Sequence, residues 1–600
     1  MRVRWLGRVP YREAWDLQRA VSCRSADDYL LLLEHPPVYT LGPHAESEHV
    51  LVEPASVGAE LIRVDRGGDV TYHGPGQLVG YPLLTVGPGP HRGREHVRRV
   101  ERVVIDALVS LGMRATDVGR LDGYPGVWVG LDGLHLNGPG GPVAPRKICA
   151  IGVRTSKGRT THGFALNVST DLVMFDHIVP CGIADKRTTS LHAEGVLVSM
   201  REVVDAIIAA AAPTWGPVED VQRVTDRHDG GAPTGAPTAA IGAPVPRGRV
   251  PAPVPVTLAR GRSGEPALDR RLRRSGVEPG DGLAIGERKP AWLRVPVRMG
   301  GDYLHLRHGL RDLDLVTVCE EAGCPNIYEC WSDGTATFMI NGSRCTRACG
   351  FCQVDTRHPL PLDPGEPERV AEAVDRMGLA HAVITCVARD DLADGGTGAF
   401  AETIGAIRRR SPRTTVEVLI SDCKGDGGSL HAIIEAAPDV LNHNIETVAR
   451  LQRAVRPSAG YARSLAVLAR AKDAGLTAKS GIILGMGERQ DEVHATLADL
   501  RAVGVDIVTV GQYLRPSSHH LPVARWWTPE EFDSVRRAGM AMGFAHVQAS
   551  PLTRSSYHAR EAAELSAPDS VPGRRPTVGS TTAVEGGPAA PAVASDAPVR

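Results

Sequence analysis

The sequence has no apolar stretch approaching the ~20 residues that span a bilayer. Its opening run, MRVRWLGRVP, lacks the apolar core and small-residue cleavage site of a secretory signal. Both absences predict a cytoplasmic protein with no membrane partner. Charge of one sign is lacking too: 68 Lys and Arg stand against 69 Asp and Glu, a formal net charge of -1, so nothing draws the chain as a whole toward nucleic acid or an anionic surface. Paired C-x2-C knuckles, the usual frame of structural zinc, are missing. What is present is ample material for folding. Six hundred residues exceed what one hydrophobic core serves, and 42% hydrophobic with 23% charged residues is ordinary for soluble globular domains, so two or more folded units are expected. Eleven cysteines in a reducing compartment argue against structural disulfides, and six of them crowd into the 34 residues from Cys319 to Cys352, which points to metal.

Composition divides the chain. Residues 1–215 alternate apolar strands with helical stretches, such as a strand at 28–34 and an amphipathic helix at 95–111, and read as one α/β domain. Residues 216–286 shift to Ala, Pro, Gly and Arg and are expected to form a disordered linker. A second ordered unit spans 287–562, and the tail, 563–600, returns to linker composition. Within the second unit, strand-like runs at 335–340, 381–387, 415–420, 439–444, 477–484 and 506–514 alternate with helical runs such as 368–377 and 491–503. Strict alternation implies a parallel sheet closed or partly closed into a (β/α)6 barrel, with chemistry at the C-terminal ends of the strands.

Cys345, Cys349 and Cys352 form a C-x3-C-x2-C loop directly after the first of those strands. Three thiolates hold three irons of a [4Fe-4S] cube and leave the fourth open to chelate a substrate's amino and carboxylate groups. Structural zinc, which wants four ligands, is the alternative. The spacing resembles the radical S-adenosylmethionine superfamily, whose cluster cleaves that cofactor reductively to a 5′-deoxyadenosyl radical. Upstream stands a second trio, Cys319, Cys324 and Cys330, spaced C-x4-C-x5-C. With the RSSYHA motif at 554–559, and with EVLI at 417–420, NHNIET at 442–447, KSGIILGMGE at 479–488 and GQYL at 511–514, this trio resembles the lipoyl synthase family over residues 288–560. The resemblance implies two [4Fe-4S] clusters and S-adenosyl-L-methionine as cofactors, with the second cluster as sulfur donor. Its ligands would be Cys319, Cys324, Cys330 and, by position, Ser556, which outside the resemblance would be a helix cap or turn serine. An oxygen ligand suits iron in a sulfur cluster less well than thiolate and makes one corner easy to open. The glycine-rich run 481–487 is expected to let backbone approach the cofactor. Asn444 and Glu446 are candidates either for cofactor contact or for structural hydrogen bonds. Cys386 and Cys423 are expected in the core.

In the first half, Cys181 lies in a Pro-Cys-Gly turn and Lys147 in RKICAIGV at 146–153; a thiol needs nearby positive potential to become nucleophilic. Together with HPPVYTLG at 35–42, RGGDVTYHGPGQ at 66–77, PGVWV at 125–129 and THGFALN at 161–167, these residues resemble the lipoyl(octanoyl) transferase family over residues 1–212. The resemblance implies the α+β fold of biotin and lipoate ligases. It also implies a mechanism in which Cys181 takes octanoyl from acyl carrier protein as a thioester while Lys147 lowers the thiol's pKa and shuttles its proton. Arg66, Gly67, Gly68, Asp69, Val70, Thr71, Tyr72 and His73, with Ala150, Ile151, Gly152, Gly163, Phe164 and Ala165, match the acyl-binding segments. His73 and His162 are expected as polar wall residues or as participants in proton transfer.

The two resemblances imply consecutive activities: octanoyl transfer to a lysine, then insertion of sulfur at C6 and C8 of that chain. Implied partners are octanoyl acyl carrier protein, the lipoyl domains of 2-oxoacid dehydrogenase E2 subunits and glycine cleavage H protein, and a reductant such as ferredoxin or flavodoxin. A flexible linker of about 70 residues would span roughly 45 Å, enough for one lipoyl domain to visit both sites. The competing expectations are an ATP-using ligase joined to a biotin synthase relative, and a zinc-stabilised scaffold binding acylated carrier domains.

Overall fold

The computed structural model describes residues 1–87, 92–131, 144–180, 186–225, 267–294 and 326–566, with the separate positions 313, 315, 317 and 324. Residues 1–566 form one compact unit. Among the described residues no helix is long and apolar enough to cross a membrane.

The first half builds an eight-stranded mixed sheet in the order β11-β1-β2-β6-β10-β9-β8-β7. Its members are β1 (Arg2–Arg8), β2 (Tyr29–Glu34), β6 (Gln77–Leu83), β7 (Val118–Leu121), β8 (Tyr124–Val129), β9 (Arg146–Ser156), β10 (Arg159–Asn167) and β11 (Asp220–Arg223). A small sheet of β3 (Val38–Leu41), β4 (Glu60–Arg63) and β5 (Thr71–His73) stands beside it. Helix α1 (Tyr11–Arg24) lies in this half. So does α2 (Arg92–Ser110), which presents Val100, Val103, Val104, Ala107 and Leu108 at helical spacing to a core shared with α3 (Met200–Trp215). A capping box between Ser199 and Glu202 starts α3.

The second half is an all-parallel sheet whose seven strands follow in sequence order: β12 (Thr335–Ile340), β13 (His381–Cys386), β14 (Thr415–Leu419), β15 (Val440–Asn442), β16 (Thr477–Leu484), β17 (Ile507–Gln512) and β18 (His546–Ala549). The seventh strand exceeds the six expected. It has four residues, of which only Val547 is buried, too short for an alternating pattern to register. Among the described residues β18 and β12 do not pair, so the barrel is open.

The expected linker, 216–286, is too wide. Strand β11 pairs in parallel with β1, and α4 (Ala267–Arg274) sets Leu272 in the core, while the Leu283 amide donates to Val523 O at 2.8 Å. Only 226–266 of that span lies outside the described residues. A short edge strand with alternate residues exposed and one short basic helix do not lift the composition of a Pro- and Gly-rich stretch. The last helix, Ala559–Ser566, likewise runs past the expected end at 562.

The halves share a core. One apolar cluster joins Leu17, Ala20, Val21 and Leu31 to Leu451, Leu465, Leu468 and Leu497. Helix α1 has two buried faces. Tyr11, Ala14 and Gln18 turn toward the first sheet, whereas Glu13, Asp16, Ala20 and Arg24 make a stripe toward the barrel helix Tyr461–Asp473. Along that stripe Glu13 pairs with Arg463 and Asp16 with Arg470, each at 2.7 Å, and Arg24 pairs with Asp473. Deeper, the Asp499 carboxylate of helix Gln490–Ala502 accepts from Arg4 Nε at 2.7 Å, from Tyr461 Oη at 2.8 Å and from Tyr29 Oη at 3.4 Å. Burial works against the Arg4 charge, but Asp499 more than offsets it, and its pKa is raised.

Beneath α1 lie three buried histidines. His35 is held between Val9 O and Tyr81 Oη at 2.7 Å each. Burial lowers its pKa to about 4, burial and the Arg66 charge take His162 to about 3, and burial with His35 and Arg66 nearby lowers His73.

Asp499→Ala would leave the buried Arg4 guanidinium with Asp220 as its one remaining carboxylate and two phenols without this acceptor, at a cost of about 3 kcal/mol. We expect a clear fall in the urea midpoint of the full chain, larger than for the isosteric Asp499→Asn. The histidines give a pH prediction. Their folded pKa values lie below the unfolded value of about 6.5, so the unfolded chain binds more protons as pH falls. The stability they contribute is complete above about pH 6.5 and is lost progressively toward pH 4, by roughly 3 kcal/mol for His35 alone. Urea midpoints measured down this range should fall less steeply in His35→Asn than in wild type.

Candidate active sites

A pocket opens beside α1 in the first half. Its walls come from 66–69, Thr71 and His73, from 150–152, and from 162–165, with Tyr11, Val79 and Tyr81 completing it. The three expected acyl-binding segments therefore converge. Val70 and Tyr72 are the exceptions. Side chains alternate along an extended chain, and these two turn away into a cluster with Tyr39, Leu41 and Phe175. Glycine makes the convergence possible: a Cβ on Gly152 would stand 2.7 Å from Gly67 O, and one on Gly163 only 2.1 Å from Gly80 O.

Arg66 supplies a fixed positive edge, with Nη2 donating to Thr40 O at 2.6 Å and Nε to Thr40 Oγ1 at 3.1 Å. Val79, Ile151, Phe164 and Ala165 add an apolar wall. The site suits an aliphatic chain with a polar head near Arg66. His162 is a wall residue. Its Nε2 meets Asp65 at 2.7 Å, and with its pKa depressed by burial it donates as neutral imidazole. Tyr11, Val79 and Tyr81 were not anticipated. Val79 and Tyr81 sit two apart on β6, a spacing that marks one face once the strand is recognised.

Lys147 lies on β9, the strand that carries 150–152 to the cavity, and is buried with Nζ 4.9 Å from the Trp128 ring centre. Cys181 lies outside the described residues, but both flanks of its segment are tied down. Before it, Val179 N donates to His49 O at 2.8 Å, and His49 Nδ1 meets the cavity residue Asp69 at 2.5 Å. After it, the Lys147 backbone bonds Arg187 O and Thr189 N at 2.9 Å each.

In the second half, the loop after β12 carries Cys345, Cys349 and Cys352 to the C-terminal end of the sheet. It is pinned on several sides. Cys345 N donates to Asp355 O at 2.8 Å, Gly350 N to Val455 O at 2.8 Å, and Leu521 N to Gly350 O at 2.9 Å, while His520 Nε2 meets Cys352 O at 2.9 Å. Cys345 Sγ accepts the amides of Arg347 at 3.4 Å and Ala388 at 3.3 Å, an environment fitted to an anionic sulfur in an iron–sulfur cluster. Burial pushes Cys349 up to about 12 and raises Cys352, so iron binding there releases protons. Among the described residues no three His, Cys, Asp or Glu converge as for a single metal ion. Glu446, at φ 67°, lies close enough to raise both thiols further, and burial raises its own carboxyl. The glycine run is committed to structure: Gly485 N and Met486 N both donate to Glu488 at 2.8 Å. Cys386 and Cys423 pack into the apolar core of the first barrel strands, as expected.

Of the second trio, Cys319 lies outside the described residues. Cys330 is on the short helix Ile327–Ser332, and Cys324 has its pKa raised by burial, opposed by Arg554. The loop bearing the two serines crosses this helix, with Asn326 Nδ2 on Leu552 O at 2.7 Å and Tyr557 Oη on Glu329 at 3.2 Å. Ser555 is engaged: it accepts from Asn442 Nδ2 at 2.9 Å and donates to Asn444 Oδ1 at 3.2 Å. Asn442 in turn bonds Glu417, which Lys479 pairs at 2.9 Å inside the barrel.

Comparison with known proteins matches residues 10–212 to the lipoyl protein ligase A/B catalytic domain, residues 280–324 to the N-terminal domain of lipoyl synthase, and residues 339–500 to the radical SAM superfamily. A lipoyl synthase of Rubrobacter xylanophilus is 56% identical over 278 residues, 46% of this chain and 87% of the relative. One of Nocardia farcinica is 50% identical over 319 residues, 53% of this chain and 88% of the relative. Among solved structures, a putative lipoate protein ligase of Thermoplasma acidophilum with bound lipoic acid is 20% identical, covers 38% of this chain and 91% of that one, and superposes with a TM-score of 0.31. The chain thus belongs to the lipoyl synthase family and carries a lipoyl protein ligase A/B catalytic domain ahead of the synthase part.

Proposed function

We propose that this chain performs two successive steps of protein lipoylation: octanoyl transfer from acyl carrier protein to a lipoyl-domain lysine through a Cys181 thioester, then insertion of two sulfur atoms at C6 and C8. The observation that carries the first step is the pinning of both flanks of Cys181, one to the cavity wall through His49 and Asp69, the other to Lys147. We infer that the Cys181 thiol acts between the acyl pocket and the Lys147 amine. In this reading the Cys181 proton passes to the Lys147 amine as the thiolate attacks the carrier thioester, and Lys147 returns it to the departing carrier thiol. The incoming lysine amine then attacks the Cys181 thioester; the amide forms, the C–S bond breaks, and the proton lost by the amine passes to the released Cys181 thiolate. Arg66 fixes the polar end of the chain and the glycine-backed walls of 67–68, 152 and 163 hold its extended tail.

For the second step, one cluster on Cys345, Cys349 and Cys352 would supply the electron that cleaves S-adenosyl-L-methionine, and another on Cys319, Cys324, Cys330 and Ser556 would supply sulfide. Ser555 supports the choice of Ser556, because its own hydroxyl is spent on Asn442 and Asn444. Arg347 and Ala388 amides hold the Cys345 sulfur in place. We take the lipoyl domains of E2 subunits and of H protein as acceptors, and ferredoxin or flavodoxin as reductant.

The test is anaerobic incubation of the reconstituted chain with octanoyl acyl carrier protein, apo lipoyl domain, reductant and S-adenosylmethionine, without ATP, read by intact mass. We expect an octanoyl adduct that gains two sulfurs. Cys181→Ser should abolish octanoylation while a pre-octanoylated domain still gains sulfur. Ser556→Ala should leave octanoylation intact and lower sulfur insertion at least about tenfold, with less iron bound per chain. Octanoylation that needs ATP, or that survives in Cys181→Ser, would overturn the first step.

A further inference from the structure

Helix α1 belongs to the transferase half, yet one of its side chains ends a line of charge that runs to the thiolate loop of the barrel. Glu13, almost fully buried, bonds Arg463 Nε at 2.7 Å. Arg463 Nη1 stands 3.8 Å from Asp422 Oδ2, and that oxygen has no hydrogen-bond partner of its own. Asp422 is completely buried, and its other oxygen meets Arg347 Nη2 at 2.7 Å. Arg347 also bonds Asp390 at 2.8 Å, and its backbone amide donates to Cys345 Sγ. Asp390 N in turn bonds Thr346 Oγ1 at 3.0 Å, inside the same loop.

The room for Glu13 is specific. Gly425, at φ 78°, faces it so closely that a Cβ there would lie 2.2 Å from Glu13 Oε1. A neighbouring pair offers a contrast. Asp16 on the same helix face bonds Arg470, whose further contact is Gly425 O at 3.1 Å; Gly425 N donates to Asp422 O at 2.8 Å, so that branch meets Asp422 only through backbone and not through its carboxylate. Removing the charge of Glu13 leaves Arg463 with Asp422 as its remaining carboxylate, so Arg463 shifts toward it and Asp422 divides its interaction with Arg347 differently.

We propose that Glu13 is a positioning residue for the cluster-binding loop, acting through Arg463, Asp422 and Arg347, so that the transferase half sets the geometry of the radical centre. This rests on the assignment of that loop to an iron–sulfur cluster.

The test uses the full-length chain as wild type, Glu13→Gln and Asp16→Asn. Amide hydrogen exchange of residues 345–352 is read in the metal-free protein, and the electron paramagnetic resonance spectrum of the reduced cluster is read after reconstitution. In Glu13→Gln, loop exchange should rise about three- to thirtyfold, the range expected for coupling through paired side chains, and the reduced spectrum should shift. Octanoyl transfer by the same preparation should stay within about twofold of wild type. Asp16→Asn, which weakens docking without altering the carboxylates and guanidinium groups of the line, should leave loop and spectrum as in wild type. Unchanged loop exchange in Glu13→Gln, or an equal rise in both variants, overturns the proposal. Should Glu13→Gln fail to fold, Arg463→Lys, which keeps the charge but cannot fork to two carboxylates, is read on the same amides with the same two outcomes. A wild-type chain that takes up no cluster refutes the cluster assignment alone, and the exchange comparison still decides the role of Glu13.

Discussion

A carboxylate with almost no access to water can remain charged only if its partners are fixed around it, and Asp499 collects those partners from both halves of the chain. Arg4 and Tyr29 arrive on the first two strands of the eight-stranded sheet, while Tyr461 comes from the barrel. Neither half alone supplies the full set. The desolvation of such a group is roughly balanced by its pairing, so its main effect is on specificity: a wrongly rotated docking would strand a buried charge. The apolar cluster around it supplies adhesion, and the stripe of ion pairs on α1 fixes register along the neighbouring helix.

Docking of this kind changes what the linker does. A chain long enough to span both sites suggests two domains on a tether, with encounter governed by reach. The structure instead anchors both ends of that segment, Thr225 Oγ1 to Arg450 O at 2.7 Å and Leu272 in the core, and joins the halves through α1. The separation of the acyl cavity from the thiolate loop is then a property of a packed interface. On the proposed function, one acceptor domain serving both sites would meet them fixed with respect to each other.

Much of this was legible in the residues. The loop of Cys345, Cys349 and Cys352 after the first barrel strand, the alternation of strand and helix, and the glycine-rich segments are local patterns; the first two lie where the pattern implied, and the segments of the third line one pocket. The segment 66–73 shows where local reading stops: the motif identifies the stretch, but only the pleat decides that Thr71 and His73 face the cavity while Val70 and Tyr72 do not. The interface was harder to see. Glu13, Asp16 and Arg24 look in sequence like the solvated face of an amphipathic helix, because their partners lie some 450 residues away, at Arg463, Arg470 and Asp473. No periodicity records a partner that distant. Strand β18 and edge strand β11 escaped for the opposite reason, being too short to build a period.

The serine loop has a consequence of its own. Its hold on the barrel comes from Asn326, Glu329, Asn442 and Asn444, none of them a thiol. The loop therefore keeps its place on the barrel without help from a thiol. On the proposed reading, in which a cluster held there gives up its sulfur, restocking would not require this loop to fold around the new charge.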